Sequence, residues 1–209
     1  MAESDELAGV RLRRRPRQAR SQEKVARVLA AAERLLGEEG VSALTTTRVA
    51  AEAGVSVGAL YQYLPDRDAI VEALAEQYLG RLEAAMSTFA QRAAEEVWDD
   101  PVGVLVDAFA ELYRSQPGFR ALWFSRDLTD GTRDADRRHK HTMSAGLHTV
   151  LVAQHLLPPT PEAATACRTA FLAADAVTQE AFRGDGEGDA ALLAQLKVLL
   201  RAYLGRLGE

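Results

Sequence analysis

A single cysteine, Cys167, excludes any disulfide within the chain, and with it the small secreted folds that depend on several bridges. Ala163, Ala166 and Ala170 flank it at helical spacing, so it reads as a small buried thiol and not as a nucleophile. Glycine and proline are sparse, 15 and 7 among 209 residues, which excludes collagenous and low-complexity chains and leaves a folded core as the expectation. No long apolar run is present, so no membrane-spanning helix and no membrane partner are expected. The opening Met-Ala-Glu-Ser-Asp-Glu is acidic where a secretory leader is basic, and the expected location is the cytoplasm. Phosphate-cradling glycine loops, a nucleophile elbow and the HExxH pattern are all missing, so no catalytic residue, no enzyme activity and no cofactor are expected.

Four histidines raise the question of a metal. His141, His148 and His155 recur every seventh residue on nearly one helix face, but each such step rises about 10.5 Å. Zinc ligands lie about 2 Å from the ion, and one helix chelates through i and i+4 pairs. His139 and His141, two apart, point in different directions. The run from Asp185 to Asp189 imitates the start of a calcium loop, yet Ala190 stands where the sharp turn needs glycine and Leu196 where the bidentate carboxylate belongs. No metal site is expected, and 185–189 reads as a connection between helices.

Net charge is −5, which taken whole argues against nucleic acid. The distribution argues the other way. Arg11, Arg13, Arg14, Arg15, Arg17, Arg20, Lys24 and Arg27 are opposed between Val10 and Arg27 by Glu23 alone. Residues 1–20 lack periodicity and contain Pro16, so they read as a disordered, arginine-rich arm. A solubilising tail has the same composition; beside a DNA-reading unit the arm fits phosphates or a minor groove, with Arg13, Arg14 and Arg15 as its contacts.

The stretch 44–64, LTTTRVAAEAGVSVGALYQYL, reads as two short helices joined by a tight turn. Thr45 is placed to cap the first by accepting the Arg48 N–H, Gly54 to stop it in a left-handed conformation, and Ser56 to cap the second. Leu60 faces inward, leaving Val57, Ala59, Tyr61, Gln62 and Tyr63 outside. An αα-hairpin in a larger bundle fits the turn equally well. The outward face separates the two readings, because it presents Ser, Thr, Tyr and Gln, planar or short groups suited to phosphates and base edges.

Thr45, Val49-Ala50, Ala53-Gly54-Val55-Ser56, Gly58, Leu60-Tyr61, Tyr63-Leu64 and Arg67 together resemble the DNA-binding signature of TetR-family transcriptional regulators. The resemblance covers roughly the first third of the chain; beyond it only length and helical character agree. It implies an all-α fold of about nine helices, with a three-helix DNA-binding domain at 21–66 and a larger helical ligand-binding and dimerisation domain at 67–209. Its DNA-contacting set carries over to Thr46, Thr47, Arg48, Ser56, Val57, Gly58, Ala59, Tyr61, Gln62, Tyr63 and Arg67. Thr46, Thr47 and Tyr61 fall to the backbone, Gln62 to an adenine edge and Arg67 to a phosphate. Arg67 stands where the family usually has Lys, and Tyr63-Leu64 where it commonly has His-Phe.

Helical periodicity predicts a first helix over 21–36, closed by Gly37 and Gly40, and a long helix from Arg67 to about Ala94 after the Asp66 cap. A helix over about 101–115 follows Asp99-Asp100-Pro101, then a short apolar piece at 119–124, and a loop at 127–138 because that run is charged and contains Gly131. The next helix is expected at about 138–157, stopped by prolines 158, 159 and 161.

The last two helices, about 162–183 and 190–207, stand apart. The first is built on Ala163, Ala166, Ala170, Ala173, Ala174, Val177 and Ala181, small enough for close approach of a partner helix. The second carries a leucine stripe broader than one neighbour requires. Both features fit a homodimer through a four-helix bundle, and both also fit helices that cover the monomer's own core. TetR-like proteins keep a small-molecule pocket in this region, which makes Phe109, Tyr113, Trp123, Phe124 and Phe171 candidate lining residues and Asp175, Gln179 and His148 candidate polar handles. The expectation is a ligand-responsive regulator, a repressor released by a small-molecule effector from a palindromic double-stranded DNA operator. The alternative is a DNA-binding module whose C-terminal domain docks a protein partner.

Overall fold

The computed structural model describes residues 19–125 and 128–207. Among them, nine α-helices and one 3-10 turn make up the regular structure, with no strand. They are α1 (Ala19–Glu39), the turn at Val41–Ala43, α2 (Thr46–Glu52), α3 (Val57–Tyr61), α4 (Arg67–Glu95), α5 (Pro101–Ser115), α6 (Pro117–Trp123), α7 (Asp130–Ala153), α8 (Pro161–Arg183) and α9 (Ala190–Gly205). No helix among the described residues is long and apolar enough to cross a membrane. The arm contacts Arg13, Arg14 and Arg15 lie outside the described residues; Ala19 and Arg20 already belong to α1, so that helix begins before the expected Ser21. Gly37 lies inside α1, and Gly40, at φ 80°, is the residue that ends it.

The chain forms two compact units, one from residues up to Gly80 together with 116–136, the other from 81–115 and 137 onward. The division falls within α4 and α7, so each of those helices supplies residues to both units.

In the first unit α1 packs on α6, and Val25, Leu29, Leu36, Leu60, Leu64, Ile70 and Leu74 are buried. The Tyr78 ring meets Phe119 edge-on at 5.7 Å. Helix α7 starts at Asp130, eight residues before the expected position, and the reason is local. Thr129 caps it by accepting the Thr132 N–H at 3.0 Å while donating to Glu72 Oε1 at 2.8 Å. A Cβ on Gly131 would collide with the Glu72 carboxylate, so that glycine permits a close approach and does not break the helix.

In the second unit the core gathers Val102, Val106, Leu151, Cys167, Leu196 and Leu200, with Met86, Ala93, Met143 and Val150 in an adjoining cluster. Burial pushes the Cys167 thiol up to about 11, which fits the inert role expected of it. Gln154 closes the end of α4: its Nε2 donates to Ala93 O at 2.8 Å and Glu96 O at 2.7 Å, and its Oε1 accepts the Trp98 N–H at 2.7 Å. Helix α7 stops at Ala153, short of the expected 157, because His155 takes a left-handed φ of 56° and Leu156 N–H turns back to Leu151 O.

Of the two readings left open for the α8 alanines, three of these residues follow the one in which they cover the chain's own core. Ala163, Ala166 and Ala170 are buried in the protomer's own core, packed with Cys167 and the α9 leucines 196, 200 and 204. Their small size serves close packing of α8 on α9 within one chain. The outward row of α8 is different: Thr165, Thr169, Leu172 and Ala176 are all exposed.

Candidate functional site

The turn between α2 and α3 is built by its own residues. Thr45 Oγ1 accepts the Arg48 N–H at 3.2 Å, and Ser56 Oγ accepts the Ala59 N–H at 3.2 Å. Gly54, at φ 64°, lets the Val55 N–H reach Ala50 O at 3.0 Å and swing the chain into α3. Helix α3 is five residues long, with Leu60 its one buried side chain, and Gln62 forms its C-cap. Thr47, Ser56, Gly58, Tyr61 and Gln62 are exposed; Thr46, Val57, Ala59 and Tyr63 are half-buried. The hydroxyls of Thr46 and Tyr61 lie 3.3 Å apart, linking the start of α2 to the end of α3.

Two arginines of the expected DNA-contacting set are engaged inside the unit. Arg48 grips Glu39 of α1 through both nitrogens, at 3.0 and 2.6 Å, so its guanidinium braces α2 against α1. Arg67 Nη2 donates to Val41 O at 3.2 Å. The Arg48 hydrogen bond holds the Glu39 carboxyl below its ordinary range, with partial burial opposing. A carboxylate lowered in this way stabilises the fold above its ordinary pKa and loses that contribution as pH falls through the lowered one. Following Glu39 by NMR titration should place its midpoint below those of free glutamates, and Arg48→Ala should return it upward.

The second unit contains a pocket of about 90 Å³ that is partly open to solvent. Of the residues expected to line a pocket, Phe109, Tyr113, Phe171 and Asp175 do so. Trp123 and Phe124 do not: they fall in the first unit, where Trp123 stacks near Phe119 at 4.7 Å. His148 is turned to the Pro158 carbonyl at 3.2 Å, and Gln179 is one step removed, its Nε2 donating to Asp175 Oδ1 at 2.9 Å. Residues not singled out complete the wall, chiefly Leu82, Met86, Met143, Leu147, His139 and Thr178. His139 is buried, with Nδ1 3.0 Å from Glu83 Oε1. Asp175 Oδ2 lies 3.1 Å from Lys140 Nζ. Among the described residues no group of three or more His, Cys, Asp or Glu is placed to hold a metal ion.

Outside the cavity, α8 and α9 leave an apolar face uncovered: Leu172 is 43 % exposed, Val198 54 %, Leu199 50 % and Tyr203 36 %. The hydroxyls of Thr165 and Thr169 donate to their own helix, to Pro161 O at 2.9 Å and Thr165 O at 3.1 Å. Covering them would strand no donor.

Residues 28–74 match the bacterial regulatory proteins of the tetR family, and residues 97–204 match the tetracyclin repressor-like C-terminal domain. The chain belongs to the TetR family. A TetR-family transcriptional regulator from Streptomyces coelicolor is 29 % identical in sequence, with a TM-score of 0.61 over 88 % of this chain and 99 % of that one. FadR from Bacillus subtilis, solved in complex with stearoyl-CoA, has a TM-score of 0.64 at 16 % identity over 87 % of this chain and 98 % of its own, a likeness of fold alone. The nucleoid occlusion factor SlmA of Actinobacillus pleuropneumoniae is 34 % identical over 86 residues, 40 % of this chain. The chain spans only 41 % of the length of that curated relative.

As a TetR-family regulator the protein carries its DNA-binding helix-turn-helix in the first unit, where the α2–α3 turn lies. His139 and Thr178 could have been found in the sequence only by placing α7 and α8 correctly. Each follows an apolar residue by three or four positions on a face that periodicity alone assigns to core.

Proposed function

We propose that the protein is a homodimeric transcriptional repressor of the cytoplasm, released from a palindromic operator when a small molecule enters the cavity of its second unit. The observation that carries this reading is the course of α4: the helix begins at Arg67, directly after the helix-turn-helix, and its later residues Leu82 and Met86 line the cavity. One continuous helix therefore joins the DNA-reading residues to the ligand-facing ones, and an occupant that favours one tilt of it changes the separation of the two recognition helices.

Each subunit sets α3 in a major groove. Thr46, Thr47, Ser56 and Tyr61 meet the backbone, and Gln62 reads an adenine edge. Val57, Gly58, Ala59 and Tyr63 complete the contact surface. Arg48 and Arg67 serve this surface first as braces of α2 and of the α1–α2 connection, with their charge still close to the DNA backbone. The exposed row of Leu172, Val198, Leu199 and Tyr203 meets the same row of a second copy across a two-fold axis. The same row would also suit an unrelated protein partner. The apolar pocket with a few polar groups in its wall favours a small effector.

Titrating metabolites against the protein bound to its operator tests the release step. An effector that binds the cavity should lower operator affinity, and one that binds tightly without changing it would contradict the mechanism. The arm is tested by salt: removing residues 1–18 should weaken binding to every DNA sequence and reduce the slope of log affinity against log salt by about 0.9 per lost phosphate contact.

A further inference from the structure

The cavity has one polar corner, and its composition restricts what can occupy it. Asp175 and Thr178 stand three apart on α8, so both side chains lie on one side of that helix, and both line the cavity among Phe109, Phe171 and Ala174. Each oxygen of Asp175 already has one protein donor, Gln179 Nε2 at 2.9 Å on Oδ1 and Lys140 Nζ at 3.1 Å on Oδ2. A carboxylate accepts about four hydrogen bonds, so capacity remains for a donor from the cavity side. Thr178 is 9 % exposed and lines the cavity. Its hydroxyl can donate to or accept from a ligand oxygen there.

Charge decides between ligand classes. Asp175 is balanced by Lys140, and Glu83 is bonded to His139, so the two acids near the cavity both have a basic partner. A cationic ligand drawn to Asp175 would approach the Lys140 ammonium, and an anionic one would face the Asp175 carboxylate. In either case a charge would be buried among apolar side chains without a free counter-ion. Resting on the reading of this cavity as the effector site, we propose that it takes a small, uncharged, largely apolar molecule with a single hydroxyl, which donates to Asp175 and accepts from Thr178. The volume of about 90 Å³ is small, and a ring with a substituent would project through the open side of the pocket. The flexible thioethers of Met86 and Met143 in the wall can shift to admit a ring.

Four probes of one shape test this: toluene, benzyl alcohol, benzylamine and benzoate, each titrated by calorimetry into the full-length protein at neutral pH. Benzyl alcohol should bind about three- to tenfold more tightly than toluene, the effect of a satisfied hydrogen bond pair. The two ions should bind more weakly than toluene. Thr178→Val, which keeps the shape and removes the hydroxyl, should bring the alcohol-to-toluene ratio close to one while leaving toluene unchanged, and Asp175→Asn should weaken the alcohol alone. Benzylamine binding most tightly, or a ratio unaltered in Thr178→Val, would overturn the hydroxyl assignment while leaving an effector cavity in place. If none of the four binds at millimolar concentration, this ligand class is overturned, while the effector step stands or falls with the metabolite titration on the operator complex.

Discussion

Leu199→Asp is expected to leave the protein monomeric and to lower its operator affinity by roughly a hundredfold or more. Leu199 is 50 % exposed between Val198 and Tyr203 on α9, at the middle of the apolar row that α8 and α9 leave uncovered. In the isolated chain an aspartate there meets water and costs little, so the fold should survive with near-normal helicity. In the proposed dimer this row is covered by the second copy, so the carboxylate would be buried against apolar side chains. That penalty is several kcal/mol, and about 2.7 kcal/mol is already a hundredfold. Sedimentation reads the assembly and a binding titration reads the DNA. A dimer that persists in Leu199→Asp would move the interface elsewhere. Leu196, three residues away and 1 % exposed, offers the contrast, because its replacement damages the monomer's core and not the outer face.

Leu60→Ala should abolish specific DNA binding while sparing ligand binding by the second unit. Helix α3 is too short to hold its shape unaided, since a helix of this length is far from self-sufficient in water. Two features fix it: the Ser56 cap and the burial of Leu60, which is 1 % exposed. Truncating a buried leucine costs about 2–5 kcal/mol through lost transfer energy and the cavity left behind. Here the loss falls on the one anchor of the recognition helix. Tyr61 and Gln62 would no longer be held toward the groove, and operator affinity should drop to that for random DNA. The second unit's core does not include Leu60, so titration with a cavity ligand should be unchanged. Loss of both activities together would show that the two units do not respond independently.

What could be read from sequence and what could not follows the range of the interactions involved. Thr45, Gly54, Ser56 and Asp66 act on residues within four positions, and each does in three dimensions what its type and spacing predict. The start of α7 was hidden because Gly131 reads as a breaker until Glu72, far away in the chain, is seen to occupy the space a side chain would need. Arg48 reads as a DNA contact because its pairing with Glu39 depends on how α1 meets α2. The aromatic residues misled in a similar way. Trp123 and Phe124 belong with α6 and Phe119, whereas the cavity is walled mostly by aliphatic and thioether side chains that periodicity cannot distinguish from ordinary core.

The most direct test of the account is to select fragments bound by the full-length protein from a random DNA pool, and then to repeat the selection with Gln62→Ala. The account predicts one enriched motif with two-fold symmetry, its half-sites set by the spacing of two recognition helices, and a relaxed preference at one position per half-site in the variant. Enrichment of an asymmetric single site, or an unchanged motif in Gln62→Ala together with equal weakening on all sequences, would contradict it.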